Sequence, residues 1–293
     1  MYIDSRLRNL LWNQRGYILT HPPKSAGTSL RRSLVPNSGF FTLNEVLVTN
    51  LEGNAQAKAE FEAILDRLQS HVAMNRPWIM SIAHQSFANG WHFDLPQSAT
   101  ILINYRPTSD RLLSWIRYYS KIIDWTVDTS FEVHRDGSLR YVNPYRSFPG
   151  LNAEKDRLSE GELRNPMDVE KFLNIIQLKL IAPRVRNQLR TNLPELLAEL
   201  LGQGLFNYRD LFPKTFLKSN AFRHQTIVIP IYKLGSFVEN VFGAELLSLN
   251  ESKEIDIQMV TGLEELEVRN ITERLAKPDQ YTERLLLTQS WEH

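Results

Sequence analysis

Two short stretches of the sequence combine positively charged side chains with small or hydroxyl-bearing residues. The first, HPPKSAGTS (residues 21–29), follows the apolar run YILT, and the second, RPTSDRLLS (residues 106–114), follows the apolar run TILINY. Lysine, arginine, hydroxyl groups and backbone amides are the donors that bind phosphate and sulfate. Each stretch therefore predicts an anion site at the end of a strand.

The first stretch suits an anion that touches the backbone. If Tyr17–Thr20 is a strand and a helix begins at Thr28, the residues between them form a loop at the carboxyl end of that strand, where open parallel sheets bind ligands. Small residues let the backbone approach an anion, and the amides of the first helical turn point at it. Lys24 adds a full charge, and Thr28 and Ser29 add hydroxyls. A plain strand–turn–helix connection, with a hydroxyl that only caps the helix, is the alternative.

The segment PKSAGTS resembles the 5′-phosphosulfate loop of sulfotransferases that use 3′-phosphoadenosine 5′-phosphosulfate (PAPS), whose pattern is roughly P-K-[ST]-[GA]-[GT]-T-[ST]. The nucleoside-triphosphate P-loop, G-x-x-x-x-G-K-[ST], is not matched, because here the lysine precedes the glycine. The resemblance implies that Lys24 contacts the bridging oxygen and the 5′-phosphate. It also implies a cradle for that phosphate made by Ser25, Ala26, Gly27, Thr28 and Ser29.

The second stretch resembles the 3′-phosphate motif of the same family, R-x-P-x-x-R-L-x-S. Arg106, Arg111, Leu112 and Ser114 match it, whereas the proline comes one position early, at Pro107. A guanidinium at a strand end can bind a phosphate through two hydrogen bonds, and a hydroxyl on the adjoining helix can add another. The resemblance implies that Arg106 and Ser114 hold the 3′-phosphate. Taken singly, the arginine could equally form a surface salt bridge and the serine could have no role.

A candidate general base lies after a third apolar run. Transfer of a sulfuryl group to an alcohol needs a base for the hydroxyl proton and a positive charge for the leaving phosphate. The segment AHQSF (residues 83–87) resembles the G-H-x-x-F segment of glycosaminoglycan 2-O-sulfotransferases, which implies that His84 is the base. A purely structural histidine is the alternative, and His21 and His92 are weaker candidates. No motif such as H-E-x-x-H accompanies the histidines, so we expect no metal.

Apolar runs and helical patterns alternate along the chain. The runs predict strands at residues 17–20, 78–82, 100–105 and 227–232, and the helical patterns lie at 55–72, 109–123 and 168–189, the last interrupted at Pro183. This alternation predicts an α/β fold with a parallel central sheet flanked by helices. The resemblance implies the P-loop-like sulfotransferase version of that fold. We expect one sulfotransferase domain over residues 1–293.

A segment without clear periodicity, at about residues 124–164, is expected to be irregular and to face the acceptor. Basic and aromatic residues alternate in and just before it, which suits a glycan or glycolipid through stacking and charge-assisted hydrogen bonds. Single-stranded nucleic acid would suit the same composition, and so would an ordinary solvated surface. The basic and aromatic residues are Arg117, Tyr118, Lys121, His134, Arg135, Arg140, Tyr141, Tyr145 and Arg146.

The overall composition excludes several classes of protein. Lys and Arg total 34 against 33 for Asp and Glu, so the net charge of +1 gives no general attraction to nucleic acid or to membranes. The absence of cysteine excludes disulfides, thiolate metal sites and cysteine nucleophiles. No apolar run approaches the roughly 18 residues that a membrane span needs, and the N-terminus does not resemble a signal peptide. We expect a cytoplasmic protein with no membrane span and no nucleic-acid partner.

Together these motifs predict an enzyme that transfers a sulfuryl group from PAPS to a hydroxyl acceptor, a carbohydrate, by in-line displacement. One alternative is a P-loop kinase-like phosphotransferase, which needs a lysine after the loop glycine and a magnesium-binding acid at a strand end. Neither WIMSIAH nor ILINYR ends in such an acid. The other alternative is a module that binds a nucleotide or glycan without chemistry.

Overall fold

Five parallel strands form the central sheet in a computed structural model of the chain. The structure describes residues 5–12, 14–35, 38–42, 55–83, 87, 98–128, 130–133, 139–142, 184–202, 204, 206–247 and 255–292. The strands of this sheet are β1 (Gly16–Thr20), β2 (Gly39–Thr42), β3 (Trp78–Ala83), β4 (Ala99–Tyr105) and, later in the chain, β7 (Thr226–Pro230). The predicted α/β class with a parallel central sheet flanked by helices is confirmed.

The helices occupy much of the remaining described chain. Longer helices are α1 (Ser5–Trp12), α2 (Gly27–Leu34), α3 (Ala55–Ala73), α4 (Thr108–Asp128), α5 (184–191), α6 (Leu193–Gly202), α10 (Leu234–Phe242), α12 (Glu265–Ala276) and α13 (Gln280–Leu287). Short helices are α7 (Tyr208–Leu211), α8 (Lys214–Leu217), α9 (Asn220–Gln225) and α11 (Ile257–Thr261), with 3₁₀ turns at Ile231–Lys233 and Lys277–Asp279. Within the described ranges, no helix is long and apolar enough to cross a membrane.

The chain forms two compact units. The first unit contains Met1–Arg111, Leu201–Ser248 and Ala276–His293 and carries the parallel sheet. The second contains Leu112–Leu200 and Leu249–Leu275 and carries an antiparallel hairpin of β5 (Ser130–Val133) and β6 (Leu139–Val142). A single sulfotransferase domain over the whole chain stays a prediction.

Both faces of the parallel sheet are covered, which explains why its strands are nearly continuous apolar runs. Successive side chains of a strand point to opposite faces. Accordingly Ile18, Ile101 and Ile103 belong to one buried cluster, and Leu19 and Leu102 belong to another. The predicted strands at 17–20, 78–82 and 100–105 are confirmed within one residue. The run at 227–232 ends earlier, because Pro230 closes the edge strand and a 3₁₀ turn follows.

The prediction of irregular structure at 124–164 is wrong for the residues that the structure describes there. Helix α4 continues to Asp128, and β5 and β6 pair as antiparallel strands. Apolar residues alternate in FEV and LRYV, and the sequence between them contains Asp-Gly, a frequent hairpin turn pair. Residues 143–164 and Pro183 lie outside the described residues.

The order of the strands defines one crevice at the edge of the sheet. The order is β2-β3-β1-β4-β7. The two strands that follow β1 in sequence, β2 and β3, lie on one side of it, and the next strands of this sheet, β4 and β7, lie on the other side. The direction of the connections therefore reverses between β1 and β4. In open parallel sheets the crevice at such a reversal, beyond the carboxyl ends of the strands, is where ligands bind.

Candidate functional site

The loop after β1 has an unusual backbone conformation. Lys24 and Ala26 both have positive φ, 65° and 62°, although neither is glycine. Each such residue costs about 1–2 kcal/mol relative to ordinary conformations. Residues in the left-handed conformation that alternate with right-handed ones turn their amides toward a common side, which creates an anion-binding concavity. The loop that was predicted to surround a phosphate therefore has a backbone suited to that role.

The first backbone amides of α2 are not used by the hydrogen bonds of the helix. The residue before the helix is Ala26, whose side chain cannot cap it, and the first helical hydrogen bond runs from the Leu30 amide to the Ala26 carbonyl. The amides that precede Leu30 in the helix have no acceptor within the helical ladder. Amides in this position, together with the positive end of the helix dipole, attract anions.

Two hydroxyls of the loop are turned inward. Ser25 is buried, and its hydroxyl donates to the Pro22 carbonyl at 2.6 Å, which fixes the loop. Ser29 is buried as well, and its place in the cradle stays a prediction. The side chain of Thr28 lies outside the part of the chain that the structure describes.

Gly27 gives room to the side chain of His21, which the sequence analysis ranked below His84 as a candidate base. A Cβ atom on Gly27 would lie 2.1 Å from Cε1 of His21, so only glycine allows the imidazole to pack against the helix start. His21 directly follows β1, so this contact joins the end of the strand to the start of the helix. No pattern in the sequence marks it.

The end of β4 is bound to the same loop. Asn104, which is 1% exposed, donates from Nδ2 to the Ser25 carbonyl at 3.2 Å. Two residues later, Nη1 of Arg106 donates to the Lys24 carbonyl at 3.3 Å. The two predicted anion-binding elements therefore meet at one crevice, between the carboxyl ends of β1 and β4. The sequence did not indicate Asn104, because an asparagine in an apolar strand has no motif.

Arg111 has a different place from the one its match to the 3′-phosphate motif suggests. It is 0% exposed, donates from Nε to the Arg106 carbonyl at 3.2 Å and from Nη2 to the Thr108 hydroxyl at 2.8 Å. Its guanidinium carbon lies 4.4 Å from the centroid of the Tyr208 ring. Arg111 thus supports the turn that carries Arg106 from inside.

Two carboxylates near the end of the chain complete this support. Asp279, 2% exposed, accepts hydrogen bonds from the Thr108 hydroxyl at 2.6 Å and the Tyr208 amide at 2.7 Å. Glu283 accepts from the Thr108 amide at 2.8 Å, which caps α4, and from the Tyr105 hydroxyl at 3.3 Å. Burial raises the pKa of both Tyr105 and Tyr208, so their hydroxyls stay protonated donors at neutral pH.

The remaining predicted residues are Ser114 and His84. Ser114 is on α4, 7% exposed, and belongs to the second unit. His84 lies outside the described residues, although it directly follows Ala83, whose register partner in β1 is Thr20. Phe87 of the same segment is a core residue, with its ring 4.1 Å from that of Phe216.

Comparison with known proteins gives no family for this chain. No family model, no curated protein and no solved structure matches it. The function must therefore be inferred from the geometry of the crevice and the motifs that form it.

Proposed function

We propose that this chain is a PAPS-dependent sulfotransferase with a P-loop-like sulfotransferase fold. The donor nucleotide binds in the crevice between β1 and β4, and the sulfuryl group passes to a hydroxyl of a carbohydrate. One observation carries the proposal: the guanidinium of Arg106 donates to the carbonyl of Lys24, so two cationic elements from neighbouring strands share one edge of the sheet.

The loop after β1 suits the 5′-phosphosulfate. Its two residues with positive φ and the start of α2, which has no side-chain cap, favour amide donors at one site, and Lys24 supplies a charge next to them. The acceptor oxygen Oδ1 of Asn104 is buried beside this loop and has no hydrogen-bond partner among the described residues. An amide oxygen accepts hydrogen bonds, so this atom suits an N–H or O–H group of a ligand and not a phosphate oxygen. The amides and the lysine of the loop are the donors that fit an anion.

Arg106 is the residue proposed for the 3′-phosphate, and the role predicted for Ser114 remains an expectation from the resemblance. Arg106 is only half-buried, so its guanidinium combines an anchored position with access from the crevice. A guanidinium in this setting can donate two parallel hydrogen bonds to phosphate oxygens. The strand ends of β3 and β4, Ala83 and Tyr105, supply no magnesium-binding carboxylate, which favours this proposal over a kinase.

The reaction is an in-line displacement at sulfur. The acceptor hydroxyl oxygen forms a bond to sulfur while the bond from sulfur to the bridging phosphate oxygen breaks. The hydroxyl proton passes to His84, and the leaving group is adenosine 3′,5′-bisphosphate (PAP). Lys24 stabilises the charge that develops on the bridging oxygen. Holding donor and acceptor in line supplies much of the rate, on the order of 7–11 kcal/mol.

Calorimetry with PAP and with ATP tests the function directly. We expect PAP to bind tightly without a metal ion and ATP to bind at least tenfold more weakly, with or without magnesium, because only PAP has a phosphate for each proposed cationic element. The reverse preference, with magnesium required, would replace the sulfotransferase by the phosphotransferase alternative. Binding of neither nucleotide would remove both.

Arg106→Ala is expected to weaken PAP binding by about 10–100-fold, because a hydrogen bond to a charged group contributes roughly 1.5–3 kcal/mol. Arg209→Ala is the matched control, since the side chain of Arg209 is exposed. The hydrogen bond from its backbone amide to Asp279 is kept in the variant. Calorimetric titration of both variants measures the difference. Equal affinity in parent and Arg106→Ala would contradict the assignment of Arg106.

A further inference from the structure

One hydroxyl bonds both backbone polar groups of Arg106. The Arg106 amide donates to Oη of Tyr208 at 3.0 Å, and Oη donates in turn to the Arg106 carbonyl at 2.9 Å. A phenol hydroxyl can act as donor and acceptor together. Arg106 lies after the last residue of β4 and before α4, whose first helical bond joins Arg111 to Pro107. Tyr208 therefore gives both backbone groups of Arg106 a partner at the junction of the two elements.

Tyr208 is itself rigidly held. It is fully buried, its amide donates to Asp279, and its ring stacks on that of Tyr105 at 5.5 Å between centroids. The guanidinium of Arg111 packs against the ring and sends a second donor to the Arg106 carbonyl. The backbone of Arg106 is thus fixed from the core of the first unit.

The side chain of Arg106 extends from this fixed backbone toward the loop after β1. An arginine side chain has several rotatable bonds, and ordering it on binding has an entropic cost. A fixed peptide at Arg106, together with the bond from its guanidinium to the Lys24 carbonyl, reduces that cost. An anion then meets a guanidinium that is already in place.

We infer that Tyr208 is a positioning residue of the nucleotide site, which aims the Arg106 guanidinium at the bound phosphate by fixing the Arg106 backbone. The inference rests on the proposed function for the identity of the ligand. The pinning of Arg106 does not depend on that identity, so it can be measured separately.

Tyr208→Phe tests the inference, because it keeps the ring and removes the hydroxyl. We expect PAP to bind about tenfold more weakly, the effect of one hydrogen bond, and we expect the Arg106 amide to exchange with solvent at least tenfold faster in nitrogen-15 NMR spectra. In the Arg106→Ala background the same substitution should leave PAP affinity unchanged. Tyr17→Phe is the matched control: this tyrosine is buried near the amino end of β1, its hydroxyl is bonded to Arg15, and neither readout should change.

The readouts separate the two proposals. Failure of the parent protein to bind PAP overturns the proposed function, and faster Arg106 exchange in Tyr208→Phe still supports the pinning. Unchanged Arg106 exchange overturns the inference whatever the ligand. The inference is also overturned if Tyr208→Phe weakens PAP binding by the same factor in the parent protein and in the Arg106→Ala variant. Tyr208 would then act on PAP binding without Arg106. If Tyr208→Phe does not fold, exchange of the Arg106 amide in the parent protein takes its place: slow exchange supports the pinning, and exchange at the rate of an exposed amide overturns it.

Discussion

Replacing Lys24 with alanine is expected to slow sulfuryl transfer by about 10²–10³-fold, the usual cost of losing one donor that faces developing charge. Affinity for PAP should fall less than tenfold, because in the proposed site the backbone amides of the loop also bind the 5′-phosphate. Only an interaction that strengthens in the transition state acts mainly on the rate. The measurements are transfer from radiolabelled PAPS to desulfated glycosaminoglycan and calorimetry with PAP.

The backbone around Lys24 allows a clean control. Its carbonyl, which accepts the bond from Arg106, is kept in the alanine variant. Lys24→Gly removes the side chain and also relieves the positive φ, so equal losses in both variants assign the effect to the ammonium group. Lys218→Ala, at an exposed lysine of the first unit, should behave as the parent. A parental rate in Lys24→Ala, or equal losses of rate and PAP affinity, would contradict the role given to Lys24.

The sequence could predict that the two candidate anion-binding elements lie at one edge of the sheet, because each of them has a local signal. An apolar run followed at once by small and cationic residues identifies a strand end, and the carboxyl ends of parallel strands lie at one edge of the sheet. These strand-end signals and the resemblance were enough to predict that β1 and β4 are neighbours in the sheet. The register that joins Thr20 to Ile103, and hence the bond from Arg106 to Lys24, needed the structure.

The support of Arg106 could not be predicted, because its parts are far apart in sequence. Tyr208 lies 102 positions from Arg106, and Asp279 lies 171 positions from Thr108. In the sequence, these residues lie in short segments that contain no motif for a chemical role. Periodicity identifies elements, but it does not tell which polar side chain of one element faces a buried backbone group of another.

Burial also separates residues of one motif. Arg106 and Arg111 are five positions apart and have the same chemistry, yet one reaches the crevice and the other is fully buried. The difference arises because α4 turns Arg111 toward Tyr208 and Asp279.

Strand β2 was not predicted, because it has only four residues and its sequence GFFT is too short to show a periodic pattern.

Replacing Asp279 with alanine is expected to reduce the free energy of unfolding by about 3–5 kcal/mol, the usual cost of breaking one side of a buried ion pair. Asp279 accepts three hydrogen bonds, from Thr108, Tyr208 and Arg209, and lies 3.9 Å from Nη2 of Arg111. Without it the fully buried guanidinium loses its nearest counter-charge. Its Nη1 already has no partner among the described residues, which leaves no local compensation.

Thermal unfolding measures this effect, and a fall of roughly 10 °C is expected for a chain of this size. Asp66→Ala, at an exposed carboxylate of α3, is the matched control and should change little. In an Arg111→Met background the loss from Asp279→Ala should shrink, because no buried cation is then left unpaired. An undiminished loss in that background would mean that the backbone amides of α7, rather than Arg111, make Asp279 indispensable.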